Sequence, residues 1–469
     1  MRKETVIQFG EGGFLRGFAD YFFQKLQDKG LFDGSVVIVQ PIEKGMCSVL
    51  EQQGCEYNLF LRGIDNGQVV DEHTHIDIIS RCVNPYENFE SYMKLAENPD
   101  FRFIVSNTTE AGIEYVDSNQ FTDAPARSFP GKLTQLLYKR FRLGLKGFII
   151  LSCELIDHNG EELEKCCLRY ADLWGLGEEF KTWLVQENDF CSTLVDRIVT
   201  GFPRDEHEEL CRRIGEQDNM MDTAEIFHLW VIQGSHEDEL PLQKAGFHVV
   251  WTDNVDPYKK RKVRILNGAH TSMVLGAYLA GQDIVRGCME NEAIRGFMNR
   301  AIYEEIIPTM TLPDRELKEF ADAVADRFDN PFIDHELLAI SLNSTSKWRE
   351  RVLPSLKDYV EKCGRLPRCL TASLAFYLAF YRAVRPVADG FSGMGCGREY
   401  PVCDDRHVLE FFYSHRDDKA VVLTRAALAN TGFWGEDLTR IEGLMEAVVA
   451  DLDRIEAEGA YGLIKECAK

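Results

Sequence analysis

The chain has 469 residues, 45% of them hydrophobic, and a formal net charge of −23. That length buries large cores and predicts about two domains, while a surface so negative repels polyphosphate and acidic lipid, excluding nucleic acid and an anionic membrane as expected partners. The sequence contains no run of about 18 apolar residues, and Met1-Arg2-Lys3-Glu4 opens no signal-peptide core, so a soluble cytosolic protein is expected.

The first element is the apolar run Val6-Ile7-Gln8-Phe9. It leads into Gly10-Glu11-Gly12-Gly13-Phe14-Leu15-Arg16 and then into an amphipathic stretch over residues 18–26. Strand, glycine turn and helix make the shape of a dinucleotide site: Gly10 permits the tight turn, Gly12 lets the backbone approach a pyrophosphate, and the helix N-terminus points its N–H groups at the anion. Leu15 stands where a third glycine is usual, so the turn by itself does not separate a cofactor loop from a structural one.

Val36-Val37-Ile38-Val39, residues 101–105 and residues 147–151 are the next strand-like runs, β-branched or aromatic, of the kind that fills a parallel sheet covered on both faces. Residues 88–95 and 131–141 fit the helical crossovers, which makes the opening of the chain an α/β doubly wound unit. After the second strand the chain reads Val39-Gln40-Pro41-Ile42-Glu43. Gln40 can hydrogen-bond a ribose and has no charge to hold a 2′-phosphate, and Glu43 adds repulsion, so NAD is expected over NADP.

From residue 163 the periodicity turns helical, interrupted by a strand-like stretch at 246–251. Beyond Pro257 it is helical nearly throughout, with amphipathic segments at 261–279, 291–307, 315–327, 370–383 and 438–456. The glycine-rich residues 390–398 read as a loop. The expected division is a Rossmann-like dinucleotide-binding domain over 1–252 and a mostly α-helical substrate-binding and catalytic domain over 253–469. The 14 cysteines are scattered without a Cys-x-x-Cys pair and read as reduced thiols. His73-Thr74-His75 puts two histidines on one side of a strand without a supporting cluster, so no metal is expected.

The strongest chemical constellation opens the second domain, in Tyr258-Lys259-Lys260-Arg261-Lys262-Val263-Arg264-Ile265-Leu266-Asn267-Gly268-Ala269-His270. On an α-helix at about 100° per residue, with Lys262 at zero, His270 falls near about 80° and Asn267 near about 140°. A cation, an amide and an imidazole thus share one arc. Ketone reduction needs a proton donor beside the carbonyl oxygen and donors that hold the developing alkoxide, and these three side chains supply both. The basic neighbours would disfavour a charged ammonium at Lys262. The competing reading is a solvated basic helix start.

The spacing Lys-x-x-x-x-Asn-x-x-His at Lys262, Asn267 and His270, together with the Gly10 to Arg16 turn, resembles the polyol-specific long-chain dehydrogenases, the mannitol dehydrogenase family. Val195-Asp196-Arg197-Ile198, Thr109-Glu110 and Ser346-Lys347 agree with elements of that family. The stretches 106–113, 153–160 and 190–201 are similar to its branch acting on ketohexuronates. The resemblance implies that Lys262 is the general acid in reduction and the base in the reverse direction, that Asn267 donates to the oxyanion, and that His270 orients the substrate. It places Asp196 and Lys347 in the same pocket and implies cofactor contacts at Gly10, Gly12, Phe14, Arg16, Gln40, Asn107, Thr109 and Glu110, with NAD as cofactor.

The implied substrate is an open-chain ketohexuronate, whose carboxylate needs a cationic seat; Arg197, Arg204, Lys259, Arg261 and Lys347 are the candidates. Sister activities on another ketohexuronate or on a hexitol are the nearest alternatives, and a nucleotide-sensing protein without turnover is a remote one. Where the family carries an asparagine, this chain has Cys153-Glu154-Leu155, so Asn159, a water, or Asn267 acting with less help must fill that role.

Overall fold

Every side chain of Val36-Val37-Ile38-Val39 is fully buried, and alternate residues enter different cores. Val36 and Ile38 join Val6, Val105 and Leu151 on one face, and Val37 and Val39 join Ile7, Phe9, Ile104 and Ile150 on the other. This is the two-residue period of a strand covered on both sides, each fully buried aliphatic side chain contributing about 1.5–3 kcal/mol. In the computed structural model, which describes every residue except Met1, Thr109–Ala111, Ala383, Asp389 and Cys396, these runs form an eight-stranded sheet. Its order is Val249–Thr252, Leu229–Gln233, Asp189–Asp196, Ile149–Ser152, Phe103–Ser106, Glu4–Phe9, Ser35–Val39 and Ile79–Val83.

The chain runs outward from Glu4–Phe9 on one side, then returns to start the other side at Phe103–Ser106, which places a topological switch between these two strands. Helices cover the sheet as crossovers. Asn88 caps Phe89–Lys94 by accepting from Ser91 N at 2.9 Å, and Ser128 caps Phe129–Arg142 by accepting from Gly131 N at 3.2 Å. One pairing departs from a purely parallel sheet: Leu229–Gln233 runs antiparallel to Asp189–Asp196.

Between residue 163 and Pro257 the helical reading misses four strands. Asp222–Glu225 is the instructive one, because Asp-Thr-Ala-Glu has no hydrophobic signal and yet all four residues are buried. It belongs to a second sheet, ordered Gln68–Ile76, Tyr57–Asp65, Asp222–Glu225, Val199–Gly201. Asn66 and Gly67, both at positive φ, make the turn between its first two strands, the residue pair that tight hairpins favour.

By contact density the chain falls into two units, Met1–Gly63 with Val69–Asp256, and Ile64–Gln68 with Pro257–Lys469. The second is built on the buried helix Arg368–Arg382, which packs against Gly268–Leu279 and Leu444–Glu458. The glycine-rich stretch read as a loop is instead a three-stranded sheet, Arg385–Val387, Gly390–Gly395 and Arg398–Pro401. Its glycines make room for an aromatic ring: Gly393 lies opposite Tyr400, and a Cβ at Gly393 would come within 2.5 Å of that buried ring. Every described cysteine is a free thiol. Among the described residues no helix is long and apolar enough to cross a membrane.

Candidate active site

The glycine turn sits at the switch point, where open α/β sheets bind their ligands. Gly10 has φ +123°, and a Cβ there would lie 3.1 Å from Asn107 O and 3.3 Å from Leu15 Cδ1; a Cβ on Gly12, by contrast, would meet nothing within 4 Å. The turn is therefore closed beneath and open above, the shape that lets a pyrophosphate approach main-chain N–H groups. Asn107 closes the neighbouring strand end, its Nδ2 donating to Cys153 O at 2.6 Å. Phe14 is half-buried and stacks on Phe18, with ring centroids 5.1 Å apart. Thr109 and Glu110 lie outside the described residues.

Gln40 is buried, and its amide donates to Ile42 O (2.9 Å) and Glu43 O (3.1 Å). Glu11, not singled out from the sequence, is also buried and accepts from Met46 N at 3.0 Å, fixing the same loop. Burial raises its carboxyl above the ordinary range. Its position between two glycines of the turn was the available signal.

Arg16 departs from its expected contact with the cofactor. It lies in a π-turn, Arg16–Asp20, and its buried guanidinium turns inward to Met220 O and Asp222, over the Tyr57 ring. Tyr57 Oη donates to Arg16 O (2.8 Å) and Asp20 Oδ2 (3.1 Å). Burial pushes Asp20 up to about 7 and Asp222 up to about 6. Arg16 thus braces the helix behind the turn.

Arg197 is corrected in the same way as a carboxylate seat. It is buried and donates from Nε to Phe227 O (3.1 Å), from Nη1 to Gly17 O (2.7 Å) and from Nη2 to Ile226 O (3.2 Å), with the guanidinium over Tyr21. Its donors go to main-chain carbonyls. Asp196 is buried at the end of the same strand, in register with Leu229. Arg204 is exposed.

Glu154 and Asn159 settle part of the Cys153-Glu154-Leu155 departure. Glu154 is buried and accepts from Thr108 N and Oγ1 (both 3.1 Å) and from Ser106 Oγ (3.2 Å), so it holds the strand end next to Asn107. Asn159 donates to Glu154 O and Thr193 O and accepts from Gly160 N and Thr193 N. With both amide hydrogens committed, Asn159 has none to offer an oxyanion. Leu155 is exposed.

In the second unit, Lys262, Asn267 and His270 lie on one continuous helical stretch, Asp256–Arg261, Lys262–Asn267 and Gly268–Leu279, whose middle segment is a π-turn. Gly268 N–H donates to Val263 O, five residues back. Five-residue closure gives about 4.4 residues per turn, which brings Asn267 to about 50° and His270 to within about 20° of Lys262. The π-turn therefore narrows the arc expected from a regular α-helix. Lys259 and Lys262 are half-buried. The like-charge field expected around Lys262 is offset, because Asp358 accepts from Arg264 at 2.5 Å and lies 3.6 Å from Lys260 Nζ. Arg261 packs over Phe320 and lies 4.0 Å from Glu316.

His270 stacks on Phe328 at 4.0 Å, and its Nε2 is buried without a hydrogen-bond partner. Burial first, then the nearby cations, hold its pKa well below the ordinary histidine value, so the imidazole is neutral. Lys347, on the helix Ser344–Arg351, donates to Ile340 O at 2.8 Å; burial and Arg351 lower its pKa.

Neither histidine of the 73–75 pair sits in a cluster: His73 bonds Asn58 and His75 bonds Glu56. Among the described residues one group, Asp189, Cys191 and His236, brings three donor atoms within 4.8 Å of one another. There His236 Nε2 bonds Asp189 at 2.6 Å, and its neighbour Glu239 is held by Arg102, which makes the group an ion network at a strand start.

Residues 4–244 match the mannitol dehydrogenase Rossmann domain, and residues 254–456 match the mannitol dehydrogenase C-terminal domain. The chain belongs to the mannitol dehydrogenase family. It is 45% identical to an altronate oxidoreductase of Bacteroides thetaiotaomicron, over 99% of this chain and 97% of that one, and 46% identical to an altronate oxidoreductase of Shigella flexneri, over 97% and 95%. A crystal structure of D-sorbitol dehydrogenase in substrate-free form shares the fold with a TM-score of 0.83 at 21% identity, covering 99% of this chain and 95% of that one. The Pseudomonas fluorescens mannitol 2-dehydrogenase ternary complex with NAD and D-mannitol has a TM-score of 0.67 at 21% identity, covering 99% and 94%. As a member of the mannitol dehydrogenase family the chain is an oxidoreductase that interconverts a secondary alcohol and a ketone with a nicotinamide cofactor.

Proposed function

We propose that this protein reduces D-tagaturonate to D-altronate with NADH, reversibly and in the cytoplasm. The observation that carries the reading is identity of 44–46% to several altronate oxidoreductases along nearly the whole chain. NAD is favoured over NADP by the second-strand loop, where Gln40 carries no charge to hold a 2′-phosphate, and by the buried Glu11 of the glycine turn, which accepts from Met46 N of the same loop and adds an acid where a 2′-phosphate would need a cation.

The glycine turn fits the cofactor, since open space above Gly12 and the crowded underside of Gly10 form a cradle of main-chain N–H groups. When bound, the nicotinamide supplies hydride to the ketone carbon. Lys262 Nζ donates its proton to the carbonyl oxygen and takes it back in the reverse direction. Asn267, brought close to Lys262 by the π-turn, donates a hydrogen bond to the developing alkoxide. His270 stays neutral and orients the substrate, which leaves the ammonium as the one acid of the trio.

Purified protein is expected to consume NADH, followed at the nicotinamide absorbance, with a higher kcat/KM for D-tagaturonate than for D-fructuronate or D-fructose, and higher with NADH than with NADPH. A reversed ranking of the ketoses overturns the substrate; a reversed ranking of the cofactors overturns NAD.

A further inference from the structure

Around His270 the second unit crowds cations against one another. The His335 ring stands edge-on to His270, with centroids 5.5 Å apart, and the Phe328 ring that stacks on His270 follows directly after Arg327. Lys347 and Arg351 are four residues apart on the helix Ser344–Arg351, so they share its face one turn apart. That helix packs directly on the catalytic one: a Cβ at Gly268 would sit 3.2 Å from Arg351 O.

The nearby acids, Asp404 beside Lys347 and Glu350 beside Arg351, also accept from other donors. Asp404 Oδ2 accepts from Thr345 N (3.1 Å), Thr345 Oγ1 (2.8 Å) and Tyr381 Oη (2.6 Å), and Glu350 accepts from Arg349 at 3.0 Å. Burial lowers the pKa values of His335, Lys347 and Arg351, and like charge lowers the first two further: Lys347 acts on His335, and Arg351 on Lys347. In a chain of net charge −23, two half-buried cations one turn apart beside an imidazole make a place where an anion gains.

We propose that Lys347, Arg351 and His335, with Arg327 beside them, form the seat for the substrate carboxylate and so select uronates over neutral ketoses and polyols. The assignment rests on the ketohexuronate reading above. The substrate carboxylate stands four C–C bonds from the ketone carbon, about 5 Å when extended, so its seat must lie within a side chain's reach of the trio, and the His335 ring packs edge-on against His270. The seat takes the role that the sequence offered to Arg197, whose donors go to carbonyls.

The test compares D-tagaturonate with D-tagatose, its neutral counterpart, in wild type, Arg351→Gln, Arg351→Lys and Lys347→Met. Arg351→Gln is expected to raise KM for the uronate by about 30-fold or more, with a smaller fall in kcat, and to weaken D-altronate binding to the NADH-loaded enzyme by a similar factor. The uronate-to-ketose ratio of kcat/KM should collapse, and Arg351→Lys should restore much of it. Thermal unfolding and NADH fluorescence confirm that the variants are folded, and Lys347→Met repeats the test at a second position. A ratio equal to wild type in both Arg351→Gln and Lys347→Met overturns the seat. If wild type instead prefers D-fructuronate, the substrate identity falls while the same ratio, measured with D-fructuronate and D-fructose, still decides the seat.

Discussion

The two units use their buried cations in opposite ways. In the Rossmann unit, Arg16 and Arg197 sit behind the cofactor turn with their guanidinium groups spent on main-chain carbonyls and on Asp222. In the helical unit, Lys347 gives one N–H to Ile340 O and keeps two, and it lies beside Arg351 and the His335 imidazole, with Asp404 offsetting part of the repulsion. A cation whose hydrogen bonds end on carbonyls holds the fold together, because its loss strands those carbonyls. Cations set against cations raise the energy of the empty site and lower it when an anion arrives. Sequence proximity to a motif does not distinguish the two cases; the destination of each N–H does.

The sharpest break in this comparison lies at Lys262. Replacing it by alanine removes a proton donor and leaves the glycine turn untouched. The expected loss is about two to four orders of magnitude in kcat, with NADH affinity, read by fluorescence titration, within a few-fold of wild type. An unchanged turnover number removes Lys262 from the chemistry.

Arg197 tests the other side. Arg197→Ala leaves Gly17 O, Ile226 O and Phe227 O without their donor in a buried place, so the protein is expected to lose about 3 kcal/mol of stability, measured by denaturant unfolding. Surviving folded enzyme should keep its KM for the uronate. A large rise in KM with little loss of stability would return Arg197 to the substrate and erase the contrast drawn above.

Much of this architecture was legible wherever hydrophobicity carries the signal. Val36-Val37-Ile38-Val39 is a doubly covered strand, and the Gly10 turn opens the sheet's switch point, as their residues imply. What failed to show was polar burial. Asp222-Thr223-Ala224-Glu225 forms a buried strand because its side chains find partners inside, with Thr223 Oγ1 donating to Gly201 O and Glu225 Oε1 accepting from Ile198 N. The loop at 390–398 was misread because glycine signals flexibility until a ring such as Tyr400 fills the space. Asn66-Gly67 is itself a hairpin signal in the residues. The trio at 262–270 was visible in spacing, yet its narrow arc depends on a π-turn that no residue pattern announces. Arg16 and Arg197 were misassigned because a motif fixes a residue's position and says nothing of where its guanidinium points.

The smallest expected effect concerns the buried acids behind the glycine turn. Burial raises Asp20 to about 7, against an ordinary value of 3.8. Below about pH 4 Asp20 holds its proton in both folded and unfolded chains, and it costs nothing. As pH climbs from there toward 7, the unfolded chain ionises while the folded one still holds the proton, so stability falls with rising pH and levels off once the folded pKa is passed. Arg16 and the Tyr57 hydroxyl already offset part of the burial within that raised value. Asp20→Asn keeps an acceptor for Tyr57 Oη and cannot ionise, so its stability profile should be flatter than wild type between pH 4 and 7. Asp222, raised to about 6, keeps a shallower slope in both proteins. Superimposable profiles would show that the Arg16 network holds Asp20 ionised, and the cation behind the turn would then be pairing a charge as well as bracing the backbone.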